Sequence, residues 1–261
     1  MNALEGKRAV VTGASSGLGM GFAETLARSK CNLVLAARSE AKLLELQKRL
    51  SQGTGVVIDI VPLDLALPEA PSLLYRTVKE KGLPVDFLIN NAGLGQVGPF
   101  MDTPLEKDEA MIALNIGALH HLMKLFLKDM VETGSGSVLN VASTAGFQPM
   151  PYFATYSATK SYVLNLSEAL NRELAKTSVR VSALCPGPTR TAFWDAAESK
   201  GTWFTRLTMM ESQKVVDYGI KLMLSGRSSG IPGISNKLMV FGNRFITRRL
   251  AARIGGAAMK A

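Results

Sequence analysis

Near its amino terminus the chain reads Thr12-Gly13-Ala14-Ser15-Ser16-Gly17-Leu18-Gly19, a glycine-rich stretch between an apolar run and a helical pattern. Glycine permits a tight turn there and lets the backbone approach a pyrophosphate at the start of the following helix. Such a stretch can also be a plain tight connection between a strand and a helix. Its place at the first of a series of strands favours a dinucleotide-binding turn.

The rest of the chain alternates short β-branched runs with amphipathic stretches, a pattern typical of a parallel sheet flanked by helices. We predict an α/β fold with a single doubly wound Rossmann domain over residues 1–233 and a parallel sheet of about seven strands. The predicted strands are Arg8–Thr12, Asn32–Ala37, Val56–Leu63, Val85–Asn90, Ser137–Val141 and Val179–Leu184, and a short seventh strand that ends near residues 230–233. The clearest helical patterns cover Leu18–Ser29, Glu40–Ser51 and about Tyr156–Ala175.

Composition and charge narrow the class of protein. The 261 residues are 47% apolar and 20% charged, which suits one globular domain. We find no uninterrupted apolar run of about 18 residues and no signal-peptide pattern, so we expect a cytoplasmic protein without a transmembrane helix. Cys31 and Cys185 are too few for a disulfide framework and are expected to be reduced thiols. Residues 234–261 contribute +6 of the net charge of +9, so the basic pI does not indicate a nucleic-acid partner.

Six motifs, taken together, resemble the short-chain dehydrogenase/reductase family. They are T-G-x-x-x-G-x-G at residues 12–19, Asn90-Asn91-Ala92-Gly93, Asn115 in a helical stretch, Ser143 after the fifth strand, Tyr156 with Lys160 as Y-x-x-x-K, and Pro186-Gly187 after the sixth strand. Their order and spacing match over roughly residues 8–192. The resemblance implies an NAD(P)-dependent oxidoreductase that acts on CH–OH groups. It also implies a homo-oligomer, a dimer or tetramer, built on the helices that contain Asn115 and Tyr156.

The end of the second strand indicates which nicotinamide cofactor is used. An acidic residue there would bind the adenosine ribose 2′-hydroxyl and select NAD, but this chain has Ala37, followed by Arg38 and Ser39. An arginine fork suits a 2′-phosphate, although Arg38 can also be a plain surface residue. We predict NADP(H), with NAD(H) as the alternative. The cofactor site, partly assigned through the resemblance, comprises Gly13, Ser15, Ser16, Gly17, Leu18, Gly19, Arg38, Ser39, Asp64, Leu65, Asn91, Ala92, Gly93, Tyr156, Lys160, Pro186, Gly187 and Thr189.

The predicted catalytic residues are Ser143, Tyr156, Lys160 and Asn115. Tyr156 and Lys160 are four residues apart on a helix and share one face. Because a free tyrosine has a pKa of about 10, we expect the nearby ammonium to lower the pKa of Tyr156 so that it can act as the acid/base. Ser143 would donate to the substrate oxygen. The resemblance implies that Asn115 holds a water that links Lys160 to solvent. A Tyr–Lys pair is more often a surface pair, but the other motifs favour the catalytic role.

Apolar residues near this set indicate the substrate class. Phe147, Met150 and Phe153 precede Tyr156, and residues 187–214 contain both tryptophans, Trp194 and Trp203. We predict a hydrophobic ketone or aldehyde and its secondary alcohol as substrates. The segment 187–214 is either a lid over the substrate pocket or a packed connection.

Residues 234–261 form a basic amphipathic extension. Leu238, Phe241 and Phe245 can share one helical face, with Arg244, Arg248 and Arg249 on the others. The extension either packs on the domain or a subunit interface, or makes a peripheral contact with an anionic membrane.

Two other classes of function compete with an oxidoreductase. One is a non-catalytic, dinucleotide-binding regulatory or scaffold protein on the same fold, which the intact set of Ser143, Tyr156 and Lys160 disfavours. The other is an epimerase or dehydratase, which usually has a longer substrate domain. His120 and His121 have no Cys or acidic cluster beside them, so no metal site is expected.

Overall fold

The protein, seen as a computed structural model that describes residues 3–191, 193, 197 and 208–259, is built on a parallel sheet. The strands are β1 (Arg8–Thr12), β2 (Asn32–Ala37), β3 (Ile58–Pro62), β4 (Phe87–Asn90), β5 (Gly136–Val141), β6 (Val179–Leu184), β7 (Thr189–Arg190), β8 (Met210–Glu211) and β9 (Ser229–Gly230). Seven of them form one sheet in the order β3-β2-β1-β4-β5-β6-β9, and β7 pairs with β8. This confirms the predicted α/β architecture with a single seven-stranded parallel sheet.

Helices cover both faces of this sheet. They are α1 (Gly17–Arg28), α2 (Glu40–Thr54), α3 (Ala70–Glu80), α4 (Leu105–Ile112), α5 (Leu119–Thr133), α6 (Ala154–Glu173), α7 (Ser212–Ser225), α8 (Ile234–Gly242) and α9 (Arg248–Met259), with a π-helical segment, Ala113–Ala118, between α4 and α5. Neighbouring strand residues point to opposite faces: Val11 packs with α1 and α7, whereas Val10 packs with α3, α5 and α6. Burial on both faces explains why the strands are nearly continuous apolar runs.

Two strands begin later than the sequence predicts. The amide of Val57 donates to the side chain of Asn32 (2.9 Å), and the side chain of Asp86 accepts from the amide of Arg8 (2.9 Å). At each of these places one amide bonds a side chain instead of the neighbouring strand, and β3 begins at Ile58 and β4 at Phe87. The predicted starts at Val56 and Val85 were wrong by two residues each.

The longest helical stretch runs without a break from Leu105 to Thr133, through the π-helical segment. By length and composition alone it could cross a membrane, and 39% of its most apolar window is buried in the protein. Leu122 and Phe126 on this stretch belong to the core beneath the sheet. We interpret it as a helix of the domain, because Leu122, Phe126 and their apolar neighbours already pack on α3 and the strands.

Both cysteines are buried thiols. Burial raises the pKa of Cys31 to about 12 and also raises the pKa of Cys185. The two histidines lie half-buried on α5, where His120 contacts the hydroxyl of Tyr162 (2.7 Å) and His121 contacts that of Ser72 (3.1 Å). Within the described part of the chain no three His, Cys, Asp or Glu side chains come together as a metal site would need.

The sheet order fixes where a ligand can bind. Strands β1 and β4 are neighbours although two strands and their helices separate them in sequence. The chain leaves the carboxyl ends of these two strands toward opposite sides, which opens a crevice between the connections. The loops after β1, β4, β5 and β6 all meet at this edge.

Candidate active site

A cavity of about 590 Å³ lies at the carboxyl edge of the sheet. It is an elongated site with the glycine-rich turn at one end and Tyr156 at the other. Of the predicted site residues, those that line it are Gly13, Ser15, Ser16, Gly17, Leu18, Arg38, Asp64, Leu65, Asn91, Ala92, Gly93, Ser143, Tyr156, Lys160, Pro186, Gly187 and Thr189. Gly19, Ser39 and Asn115 lie behind this surface rather than on it.

The glycine-rich turn owes its shape to three glycines. Gly13 and Gly17 have positive φ values of 65° and 53°, which side chains other than glycine rarely adopt. Gly19 has a different role, because a Cβ there would lie 2.1 Å from the carbonyl oxygen of Gly13. Helix α1 begins at Gly17, and the side chain of Ser16 does not cap it. Ser16, Gly17 and Leu18 line the cavity, so the first N–H groups of α1 can bind phosphate oxygens there.

Thr12 and Asn91 clamp this turn to the loop after β4. The hydroxyl of Thr12 accepts from the amides of Asn91 (2.9 Å) and Ala92 (3.0 Å), and the side chain of Asn91 donates to the carbonyl of Thr12 (2.9 Å). An added Cβ on Gly13 would lie 2.9 Å from the Cα of Ala92. Two distant glycine motifs are thus held against each other as one rigid surface.

The loop after β2 faces the far end of the same cavity. Ala37 and Arg38 line it, and the guanidinium of Arg38 is exposed there. Ser39 instead caps α2, where its hydroxyl accepts from the amide of Lys42 (3.4 Å). Among the lining residues that the structure describes, the only carboxylate is that of Asp64, after β3. The turn, the uncapped helix and Arg38 fit a dinucleotide with an additional phosphate on its adenosine ribose.

Tyr156 and Ser143 lie together at the opposite end of the cavity. Ser143 begins a short 3₁₀ turn, where its hydroxyl accepts from the amide of Ala145 (3.1 Å) and donates weakly to the carbonyl of Pro186 (3.4 Å). Tyr156 is nine-tenths buried, and its ring stacks on Phe153 with 4.2 Å between centroids. Phe193 covers it from another side at 5.5 Å. The phenol is therefore fixed in position by packing rather than by a salt bridge.

Lys160 lies one turn further along α6, as its spacing predicts. Its ammonium donates to the carbonyl of Val141 (2.8 Å) and lies 5.6 Å from the centre of the Tyr156 ring. A Cβ on Gly93 would lie 3.4 Å from this nitrogen. The ammonium of Lys160 thus lies between the loop after β4 and the end of β5.

The pKa values of this pair correct one expectation from the sequence. Burial raises the pKa of Tyr156 to about 12, and a hydrogen bond with Ser143 only partly opposes that. Burial also lowers the pKa of Lys160 to about 8. In the protein alone both groups are shifted toward their neutral forms. The expected lowering of the Tyr156 pKa by Lys160 is therefore wrong for the chain by itself.

Asn115 supports the site from the π-helical segment. Its side-chain NH₂ donates to the carbonyl of Leu94 (2.9 Å) and to the hydroxyl of Thr159 (3.0 Å), and its oxygen accepts from the amide of Leu94 (2.9 Å). That oxygen would lie 3.2 Å from a Cβ on Gly93. The extra residue of the π turn brings Asn115 into register with both the loop after β4 and α6. The geometry places Asn115 behind Lys160, with its amide largely engaged by protein groups.

Part of the cavity wall beside Tyr156 comes from the extension, which sequence reasoning did not assign to the site. Eight of its described residues line the cavity: Met239, Gly242, Asn243, Ile246, Ile254, Gly255, Ala258 and Met259. Met259 packs with Met150, Phe153 and Tyr156. The side chain of Asn243 donates to that of Gln148, which anchors the extension beside the catalytic end.

Glycines could have indicated this packing. A Cβ on Gly255 would lie 3.0 Å from the sulfur of Met150, and one on Gly256 would lie 3.2 Å from Pro151. A further contact fixes the loop after β6, because a Cβ on Gly187 would lie 2.4 Å from the oxygen of the buried Asn236 on α8. A Gly-Gly pair inside a helical pattern is the available sequence signal for such close approach.

The predicted lid is described only in part. Trp194, Trp203 and Phe204 lie outside the described residues. Phe193 contacts the catalytic ring, and the amide of Val97 donates to the carbonyl of Ala197 (3.2 Å). Strands β7 and β8 pair Thr189 with Met210 at the two ends of the segment.

The fold and this site match known proteins. The sequence model described as short chain dehydrogenase matches residues 7–201. An uncharacterized oxidoreductase of Staphylococcus saprophyticus is 38% identical over 184 residues, which are 70% of this chain and 79% of the relative. A solved short-chain dehydrogenase from Sphingobium yanoikuyae, in complex with NADPH, is 33% identical with a TM-score of 0.82, over 92% of this chain and 94% of that one.

A second solved structure is similar over the same share of this chain. The bulky-bulky ketone specific alcohol dehydrogenase from Comamonas testosteroni is 30% identical with a TM-score of 0.78, and the match covers 92% of each chain. The family match, the sheet order, the glycine turn and the buried Tyr156 beside Ser143 and Lys160 all agree. The chain belongs to the short-chain dehydrogenase family and is an oxidoreductase.

Proposed function

We propose that this protein is an NADP(H)-dependent oxidoreductase that interconverts a hydrophobic ketone or aldehyde and its alcohol, with Tyr156 as the acid/base. One observation carries the proposal: Ser143, Tyr156 and Lys160 converge at one end of a cavity whose other end is the glycine-rich turn. The elongated cavity has room for a dinucleotide between the two ends and for a small substrate beside Tyr156.

Each end of the cavity would hold one part of the cofactor. The N–H groups at the start of α1 would bind the pyrophosphate, and Arg38 would bind the 2′-phosphate. Lys160 would hold the nicotinamide ribose. The bound cofactor supplies or accepts a hydride at the carbon that bears oxygen. The NADPH complex of the relative from Sphingobium yanoikuyae supports this choice of cofactor.

Proton transfer is the task of the chain's own residues. In the direction of reduction, the hydroxyl of Tyr156 would donate its proton to the carbonyl oxygen while Ser143 donates a hydrogen bond to the same oxygen. A neutral phenol is what this direction needs at the start, and burial keeps Tyr156 in that form. Once the phenolate forms, the nearby ammonium of Lys160 would stabilise it.

An apolar substrate suits the walls around Tyr156. Among the described lining residues the ionisable side chains other than tyrosine are Arg38, Asp64 and Lys160, and all three belong to the proposed cofactor contacts. The remaining surface near Tyr156 is formed by side chains such as Leu94, Met150 and Met259. Burying a charged substrate against these groups would be costly. The ketone specificity named for the Comamonas testosteroni relative supports the same class.

A substrate panel tests the proposal. Purified protein is assayed with bulky aryl and alicyclic ketones, small charged keto sugars and the matching alcohols, each with NADP(H) and NAD(H) side by side. We expect turnover of the apolar carbonyls with NADPH, with the largest kcat/KM for that cofactor. Turnover restricted to charged sugars would contradict the substrate class, and no oxidation of either reduced cofactor would favour the non-catalytic alternative.

Further properties belong to the same proposal. We propose a cytoplasmic homo-oligomer, a dimer or tetramer, built on the helix that contains Asn115 and on α6, and a peripheral membrane contact through the extension. Exposed apolar side chains on the first of these helices, Leu105, Ile112 and Val131, support an interface there. Sedimentation velocity of the purified protein measures the subunit number, and a monomer at micromolar concentration would contradict it.

A further inference from the structure

Helix α8 has two apolar faces with different neighbours. Asn236 is buried and Met239 lines the cavity, whereas Ile234, Leu238, Phe241 and the following Phe245 are 77%, 65%, 53% and 75% exposed. Their spacing of four, three and four residues places these side chains along one side of the helix. A helix that already packs by its inner face does not need a second apolar face for folding.

The exposed apolar surface continues onto α9 and reaches the cavity. Leu250 and Ile254 are four residues apart and are 43% and 52% exposed. Ile254 also lines the cavity, as does Ile246 between the two helices. We call the six exposed side chains the outer patch; they are Ile234, Leu238, Phe241, Phe245, Leu250 and Ile254. The outer patch therefore borders the substrate end of the site.

Positive charge surrounds the outer patch. Five exposed cations lie on the same segment, namely Lys237, Arg244, Arg248, Arg249 and Arg253, and residues 234–261 contain no Asp or Glu. No ion pair found among the described residues includes any of these five side chains. Arg244 instead lies over the ring of Phe241, 5.9 Å from its centre.

We propose that the outer patch docks on an anionic lipid bilayer, with its apolar side chains in the interface and its cations on the headgroups. Phe and Leu beside Arg and Lys on a short helix are the combination that such surfaces bind. A second copy fits less well, because a two-fold contact between outer patches would bring two sets of five cations together. The docked orientation turns the substrate end of the cavity toward the lipid.

This inference deepens the proposed function, since an apolar ketone concentrates in lipid and would enter past Ile254 directly from the bilayer. The docking itself does not depend on turnover, so the two can fail separately. Turnover is therefore measured on a water-soluble ketone without vesicles, and docking is measured without substrate.

Vesicle flotation tests the docking. Wild-type protein is mixed with vesicles of phosphatidylcholine alone or with 30% phosphatidylglycerol, in about 0.05 M and about 0.5 M salt. We expect binding to the anionic vesicles, at least about tenfold weaker at the higher salt, because salt screens the attraction between the cations and the lipid headgroups. Binding to neutral vesicles should be weak.

Two variants locate the contact, each with a matched control. R249E/R253E should lose at least about tenfold in affinity for anionic vesicles, and F241S/F245S should lose a similar factor. R172E/K176E makes the same charge change at the same spacing at the end of α6, and L67S removes an exposed leucine elsewhere. Thermal melting and turnover of the soluble ketone check that every variant is folded.

The outcomes separate the possible occupants of the outer patch. Loss in the two patch variants with wild-type behaviour in both controls supports the proposal. Wild-type protein that fails to float with anionic vesicles, or equal losses in R172E/K176E, would overturn it. A change in subunit number in F241S/F245S, measured by sedimentation velocity, would assign the patch to a second copy and would overturn it too.

Discussion

The two long walls of the cavity are made in different ways. The wall formed by the glycine turn and the loop after β4 is made of backbone, held by Thr12 and Asn91, and it tolerates no added carbon at Gly13 or Gly19. The wall formed by the extension is made of side chains such as Met239, Ile254 and Met259. A backbone wall demands particular residues and suits a ligand common to many enzymes. A side-chain wall demands only apolar volume and can be changed to suit one substrate.

The largest effect is expected at Tyr156. Y156F removes the proton donor and leaves the ring packed on Phe153, so kcat should fall by about 10²- to 10⁴-fold. Steady-state kinetics with an apolar ketone measure this, and fluorescence titration should give nearly the wild-type Kd for NADPH. The control Y75F also loses a hydroxyl but on α3. A kcat reduced less than tenfold in Y156F would assign the proton to another group.

Lys160 gives the second largest effect, as a dependence of stability on pH. Burial lowers the pKa of Lys160 to about 8 from its usual 10.5, so the unfolded chain binds more protons than the folded protein between these values. The free energy of unfolding of wild type relative to K160M should therefore rise from pH 8 toward 10.5, by up to about 3 kcal/mol.

Urea titrations of the protein without cofactor, from pH 7.5 to 10, measure this difference. The raised pKa of Tyr156 acts in the opposite sense, with stability present below pH 10 and lost toward pH 12, so the range stops at pH 10. A difference between the two proteins that stays flat or falls over that range would mean that Lys160 is charged in the folded protein.

The backbone wall is tested by a single methyl group. G19A would place a Cβ 2.1 Å from the carbonyl oxygen of Gly13, and we expect a loss of about 2–3 kcal/mol in stability with weaker binding of NADPH. G53A is the matched control, because nothing lies within 4 Å of its new Cβ on α2. It should gain about 0.5–1 kcal/mol. Urea unfolding measures the free energy of unfolding of both variants. If G19A is no less stable than G53A, the turn can relax around the added methyl group.

Arg38 tests cofactor choice at the far end of that wall. R38A should weaken NADPH binding by about 10- to 100-fold and NADH binding very little, because only NADPH has the 2′-phosphate. R28A removes an exposed arginine at the end of α1 and should change neither Kd. Titration with both cofactors measures the ratio. An equal loss of affinity for NADPH and NADH would mean that Arg38 contributes to the overall electrostatic potential of the site and does not bind the 2′-phosphate.

The smallest effect is expected on the side-chain wall. M259A removes apolar volume beside Met150 and Phe153, so KM for a bulky ketone should rise by about three- to tenfold with kcat nearly unchanged. M101A, at an 88% exposed position, is the control. If kcat falls by as large a factor as KM rises, the extension also orients Tyr156.

The contrast between the walls also explains what could be predicted from sequence. The order of elements and the glycine turn were predicted because positive φ and close backbone approach restrict the residue type. Tyr156, Lys160 and Ser143 were identified by their spacing within recognisable motifs. The extension was not assigned to the site, because residues such as Ile254 and Met259 are apolar whether they line a cavity or a surface. The pair Gly255-Gly256 was the one local sign of its close packing. The pKa of Tyr156 depends on burial by Phe153 and Phe193, which no spacing along the chain reveals.

The position of the side-chain wall in the sequence has a consequence for the order of folding. The glycine turn is held by contacts between residues about 80 positions apart, such as Thr12 and Ala92. The contact between Gln148 and Asn243 joins residues 95 positions apart and needs the end of the chain. During synthesis from the amino terminus, the backbone wall can form before the residues of the side-chain wall have been made. The catalytic tyrosine would remain open to water during that interval. Enzyme activity would then report the docking of α9, whereas nucleotide binding would report the earlier assembly of the sheet.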